Sequence, residues 1–133
     1  TGTANQNLQV NGGAYISGNV GINTTAPTTD LDVNGEIKTI DINVTSDINL
    51  KTNVKSIQDP LEKVLQIRGV TFDWKSSHKS SAGVIAQEVE KVLPQLVNGE
   101  DTKTVNYNGL IGLLVEAVKA QQEEINMLKD RLK

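Results

Sequence analysis

The chain has 133 residues, 37% hydrophobic but only 3% aromatic, with one Phe, one Trp and two Tyr. That length suits one ordinary domain or a small domain with an appendage, and the scarcity of large rings leaves either a modest core or burial shared between identical chains. A net charge of −3 with scattered basic residues offers no phosphate-tracking patch. The absence of Cys excludes disulfides and thiolate metal sites, and a single His excludes His-rich ones.

The opening residues, Thr1-Gly2-Thr3-Ala4-Asn5, read as the interior of something longer, so the sequence is expected to be a C-terminal piece. No apolar run approaches the ~20 residues of a membrane helix. Leu8-Gln9-Val10-Asn11-Gly12 returns as Leu31-Asp32-Val33-Asn34-Gly35, each copy leading into an Ile (Ile16, Ile37), with Gly18-Asn19-Val20-Gly21-Ile22 between them. The pattern predicts short β-branched strands punctuated by Asn-Gly and Gly-Asn turns, and a loop at Ala26-Pro27-Thr28-Thr29. Strands this short cannot close a core alone. Two readings are open: a flexible Gly/Asn/Thr linker, or a fibrous β-structure whose core is shared by several chains. The alternating Ile37, Ile40, Ile42 and Val44 favour the second and predict an ordered strand running into Ser46.

From Ser46 the composition changes. Thr52 to Ile57 is predicted extended. Asp59-Pro60 is a helix start, with Asp able to cap and Pro suited to the first helical position, and Leu61, Val64 and Leu65 supply an apolar stripe. Ile67 to Trp74 alternates as a strand, with Val70, Phe72 and Trp74 on one face. Lys75 to Ser81 reads as a polar loop. Ala82 to Leu93 reads as a helix stopped by Pro94, burying Val84, Ile85, Val89, Val92 and Leu93. Gln95-Leu96-Val97 and Lys103 to Tyr107 flank Asn98-Gly99-Glu100-Asp101, a hairpin signal.

Asn108 is the predicted cap of a helix running to the end. Ile111, Leu114, Val118, Gln121, Ile125, Leu128 and Leu132 follow at spacings of 3, 4, 3, 4, 3, 4, a coiled-coil seam with one polar layer. Packing on the chain's own body accounts for the first turns. It does not account for residues 121 to 133, where the body has no sequence left to supply a partner. β-branched residues at one seam position and Leu at the other lean towards two strands.

Together these residues resemble a known family. Ser46-Asp47-x-x-Leu50-Lys51-x-Asn53 is followed by Phe72-x-Trp74, Gly83-Val84-Ile85-Ala86-Gln87-Glu88-Val89, Pro94-x-Leu96-Val97 and Val105-x-Tyr107, then a terminal helix. The order resembles the C-terminal intramolecular chaperone domain of phage tail spikes and tail fibres, the peptidase S74 or endosialidase-type chaperone. The likeness covers about residues 46 to 133, and the segments before it resemble phage fibre stems more loosely.

The resemblance implies an α+β chaperone domain over 46–133, with residues 109–133 as its long coiled-coil helix. It implies a β-rich fibrous stem over 1–45 and an intertwined homotrimer, in place of two strands. It implies a domain that templates folding of the fibre domain upstream on the same chain. It also implies self-cleavage at Thr45–Ser46, with Ser46 as nucleophile and Lys51 as its base. It places the protein in a virion tail fibre or spike, assembled in the host cytoplasm, with the chaperone part released. No cofactor or metal is implied, and neither nucleic acid nor membrane is an expected partner.

The chemistry has a geometric condition. A Ser hydroxyl needs a base to take its proton, His78 stands alone in a Ser/Lys loop, and an amine can serve when burial lowers its pKa. On a straight strand, residues five apart lie ~17 Å apart on opposite faces, so a turn or an assembly of chains is required between Ser46 and Lys51. Gln87 and Glu88 are expected on the helix surface or in structural hydrogen bonds rather than in catalysis, Phe72 and Trp74 in the core. Asp30, Asp32, Asp41 and Asp47 do not make a calcium loop. The competing readings are a non-cleaving structural trimerisation domain at the end of a fibre, and a receptor-binding tip, for which residues 1 to 45 offer only Tyr15.

Overall fold

The computed structural model describes residues 8–133; the reading of Thr1 to Asn5 lies outside them. The chain forms two compact units that divide between Leu50 and Lys51.

In the first unit, β1 (Val20–Ile22) and β2 (Leu31–Val33) pair in parallel, Val20 opposite Leu31 and Ile22 opposite Val33. The connection turns back through Asn23, whose positive φ of 57° Asn tolerates better than most residues. It is tied by Thr28, whose backbone N–H and hydroxyl both donate to Asp32 Oδ2 (3.1 and 3.2 Å). Gly21 is required because a Cβ there would meet the Thr24 carbonyl oxygen. The second repeat copy thus forms a strand, while Leu8 to Val10 does not.

The strand expected over Ile37 to Val44 is also absent: the segment is irregular and Ile37, Ile40, Ile42 and Val44 are all exposed. The physical reason is that a strand is stable only against a ladder partner, and this stretch pairs with no strand among the described residues. No described residue from 8 to 50 is buried.

The second unit holds the core. Thr52 to Ile57 is irregular, with Asn53 at a positive φ of 53°. α1 (Pro60–Leu65) starts with Pro at its first turn as expected. However, Asp59 is left-handed (φ 50°, ψ 49°) and makes no side-chain cap, its carbonyl accepting from Lys63 N–H instead (3.1 Å). Val64 turns inward and Leu65 points to solvent, which narrows the expected stripe. β3 (Val70–Asp73) and β4 (Ser80–Gly83) form an antiparallel pair with Phe72 opposite Ser81. Val70 and Phe72 share the half-buried face, while Trp74 is 56% exposed.

The loop and helix boundaries predicted here therefore shift. Ser80 and Ser81 belong to a strand, and α2 spans Ala86–Val92 rather than starting at Ala82. Backbone pairing with β3 outweighs the helical spacing of a short, small-residue run. Pro94 does end the helix, in a one-turn 3₁₀ helix (Pro94–Leu96). β5 (Val97–Asn98) and β6 (Thr104–Val105) make the expected hairpin, with Gly99 at φ 90° opening its loop.

α3 runs unbroken from Tyr107 to Arg131, entered from Asn106 rather than Asn108, and Asn106 makes no side-chain cap. Val89, Leu93 and Leu113 form the buried cluster, flanked by Val64, Ile67, Val84 and Leu110. Each such side chain contributes roughly 1.5–3 kcal/mol on full burial. The helix pair α1 and α3 and the α2–hairpin contacts close around this cluster. Among the described residues no helix is long and apolar enough to cross a membrane.

Candidate functional site

Thr45 and Ser46 lie in the irregular, exposed lead-in to a one-turn 3₁₀ helix, Ile48–Leu50. The Ser-Asp pair dictates this turn. Asp47 Oδ1 accepts from Asn49 N–H (2.8 Å) and the Asp47 carbonyl accepts from Leu50 N–H (3.1 Å). Asp side chains favour such turns because they replace a backbone acceptor two residues back. This one-turn helix lies between Ser46 and Lys51 in the chain. Ser46 belongs to the first unit and Lys51 opens the second.

The other motif residues converge within the second unit. The Tyr107 hydroxyl accepts from Val84 N–H (3.1 Å), and it sits where a Cβ on Gly83 would be. Gly83 is thus the residue that lets the first turn of α3 reach the β4–α2 junction. Phe72 and Trp74 stack edge to face, ring centroids 5.1 Å apart at 90°. Both line an open groove of about 610 Å³, together with Ala86, Gln87, Lys103 and Tyr107. Lys103 is held by Glu90 at 2.9 Å. His78 occupies the β3–β4 connection at φ 57°, donating its N–H to the Trp74 carbonyl (2.7 Å). No described group of three or more His, Cys, Asp or Glu side chains could hold a metal ion.

Glu88 has the structural role expected of it, with a partner the sequence did not reveal. Its carboxylate accepts from Arg68 N–H (3.0 Å), Nε (2.8 Å) and a terminal guanidinium nitrogen (2.6 Å). This clamps the α1–β3 turn to α2. The only signal in the sequence was a lone Arg ahead of Gly69, 20 positions from the acid.

The side-chain bond from Arg68, then its backbone N–H, holds the Glu88 carboxyl below the usual carboxylate range. Its folded pKa lies below the unfolded one. Its contribution is therefore complete above the unfolded pKa and is lost as pH falls through the folded value. Urea midpoints measured against pH should show wild type ahead of Glu88→Gln at neutral pH, with the gap closing on acidification. A gap independent of pH would remove the carboxylate from the account.

The seam residues of α3 lie on a face that the body does not cover. Exposure runs from 45% at Ile125 to 88% at Leu132, with Ile111, Leu114, Val118 and Leu128 between. Gln121 is exposed as well. The buried Leu113 and Ala117 sit one position before Leu114 and Val118, which is ~100° around the helix. The helix thus carries two apolar stripes, one spent on its own body and one open.

Residues 46–98 match the family described as chaperone of endosialidase. The chain is 38% identical over 112 residues to the long tail fiber protein Gp37 of Salmonella phage S16, covering 74% of this chain and 15% of that protein. It is 38% identical over 101 residues to Gp37 of Enterobacteria phage K3 (67% of this chain, 8% of that protein). It is 35% identical over 104 residues to Gp37 of Enterobacteria phage M1 (69% and 41%).

Proposed function

Because residues 46–98 belong to the chaperone-of-endosialidase family, we propose that this chain is the intramolecular chaperone end of a phage long tail fibre protein. It brings three copies together through α3, aligns the β-rich segment before residue 46, and then cuts itself off at Thr45–Ser46. The protein is located in the virion tail fibre, as the relatives' names indicate.

The observation that carries this reading is the open seam of α3. Six large apolar side chains at heptad spacing are exposed in one chain. Such a stripe is stable in water only when other helices cover it. The exposed Ile37, Ile40, Ile42 and Val44 support it from the other end, being strand-forming residues that pair with no strand among the described residues. Light scattering on the full chain should give the mass of three copies; a mass of one copy at micromolar concentration would overturn the reading.

The cutting chemistry is written from the residues at the boundary. Ser46 Oγ attacks the Thr45 carbonyl carbon through a five-membered ring, while the Lys51 amine takes the hydroxyl proton and returns it to the departing Ser46 nitrogen. The product is an ester between Thr45 and Ser46 Oγ, which water hydrolyses to a new carboxyl terminus. Once the piece that aligned the strands is gone, the fibre has no easy path back. Its stability is then kinetic, set by an unfolding barrier.

A further inference from the structure

The body beside α3 carries an apolar cleft of about 220 Å³, whose wall includes Val64, Ile67, Gly69, Val84, Leu110 and Leu114. Leu114 belongs also to the open seam, so cleft and seam are one continuous surface. On the far side of the seam stands Val115, 49% exposed in the single chain.

Heptad arithmetic relates the two. With Ile111, Val118, Ile125 and Leu132 at a and Leu114, Gln121 and Leu128 at d, the g positions are Leu110, Ala117 and Glu124, and the e positions are Val115, Gln122 and Lys129. In a parallel, in-register coil each g residue faces the e residue five positions on in the neighbouring helix. The pairs are then Leu110 with Val115, Ala117 with Gln122, and Glu124 with Lys129. Apolar meets apolar beside the body, and acid meets base beyond it. An antiparallel arrangement would set g against g and e against e, leaving Glu124 without Lys129.

We propose that the cleft is a socket for Val115 of the neighbouring copy, so that each body clamps the next helix around the coil. This rests on the assembly of copies through α3 proposed above. The socket extends the interface from the helices to the α1–β3 turn. It couples the coil to the body's own core, through Val64, Ile67 and Leu110, which pack on Val89, Leu93 and Leu113.

The test uses the full chain carrying Gly69→Cys and Val115→Cys. The protein has no native thiol, and a Cβ at Gly69 meets nothing within 4 Å. Val115 is exposed, so both substitutions leave the chain's own packing intact. A short bis-maleimide should convert the double variant to a band of three chains on a denaturing gel, with either single variant remaining at one. Val118→Cys, on the seam itself, is the control. Cross-linking through Val118 and a trimer mass without any 69–115 product would overturn the socket while leaving the assembly standing. Failure of the Val118 control together with a single-chain mass would bring down the assembly reading, and the socket with it.

Discussion

Ser46→Ala should appear as one intact band on a denaturing gel, where freshly assembled wild type gives two pieces split near residue 45. The expected effect is all or none on the timescale of expression, because no other hydroxyl can form the same five-membered ring with the Thr45 carbonyl. Removing a nucleophile of this kind typically slows the reaction by roughly 10³-fold or more. Lys51→Ala should also stay whole.

Lys51→Arg is the sharper variant. It keeps the positive charge and much of the reach, but a guanidinium does not give up its proton. If Arg still supports cutting, charge and not proton transfer is what position 51 supplies. All three variants should retain the assembled mass, since Ser46 and Lys51 lie outside the buried cluster and off the α3 seam. A wild-type chain that assembles and stays whole would leave a non-cleaving trimerisation domain as the function.

Legibility in the sequence followed how local the cause was. The β5–β6 hairpin is announced by Asn98-Gly99, and Gly99 takes the positive φ that turn requires. Pro60 at the start of α1 and Pro94 beyond α2 act through their own missing N–H and fixed φ. α3 was legible because its apolar spacing continues over many turns, although the face it gives to its own body, Leu113 and Ala117, was not. Two stripes one residue apart look like a single broad one until the body is in place.

The misreadings were at sites where a distant partner decides. Ser80 to Gly83 is a strand because β3 lies beside it, and nothing inside those four residues says so. The clamp of Glu88 on Arg68 and the seat of Tyr107 on Gly83 join residues 20 and 24 positions apart. At the candidate site, the spacing of five asked for a turn or an assembly of chains, and the structure has a turn at Asp47. Its form, an Asp side chain accepting from Asn49 N–H, needed the structure. The Ile37 to Val44 stretch failed in the opposite direction: the alternation is present, but the described residues supply no ladder partner.

If the Ile37 to Val44 stretch becomes a strand only between chains, cutting at Ser46 should depend on assembly, and Val118→Asp tests that dependence. Val118 is 62% exposed in one chain, so the carboxylate costs the single fold little. In a trimer the same substitution buries three carboxylates in one layer. The penalty for each desolvated, unpaired ion is about several kcal/mol. Every 1.4 kcal/mol is about tenfold in an equilibrium constant, so assembly should weaken by at least ~10³-fold and light scattering should return the mass of one chain. The consequence for the gel is the informative part. If the strand leading to Ser46 forms only between chains, Val118→Asp should remain uncut although Ser46 and Lys51 are both intact. Gln121→Leu makes the opposite change, replacing the polar layer with an apolar one; it should keep the trimer, resist denaturant better and still cut. A Val118→Asp chain that is monomeric yet splits near residue 45 would show that the Asp47 turn alone suffices to set up the reaction. Assembly would then serve the fibre's folding and have no part in timing the cut.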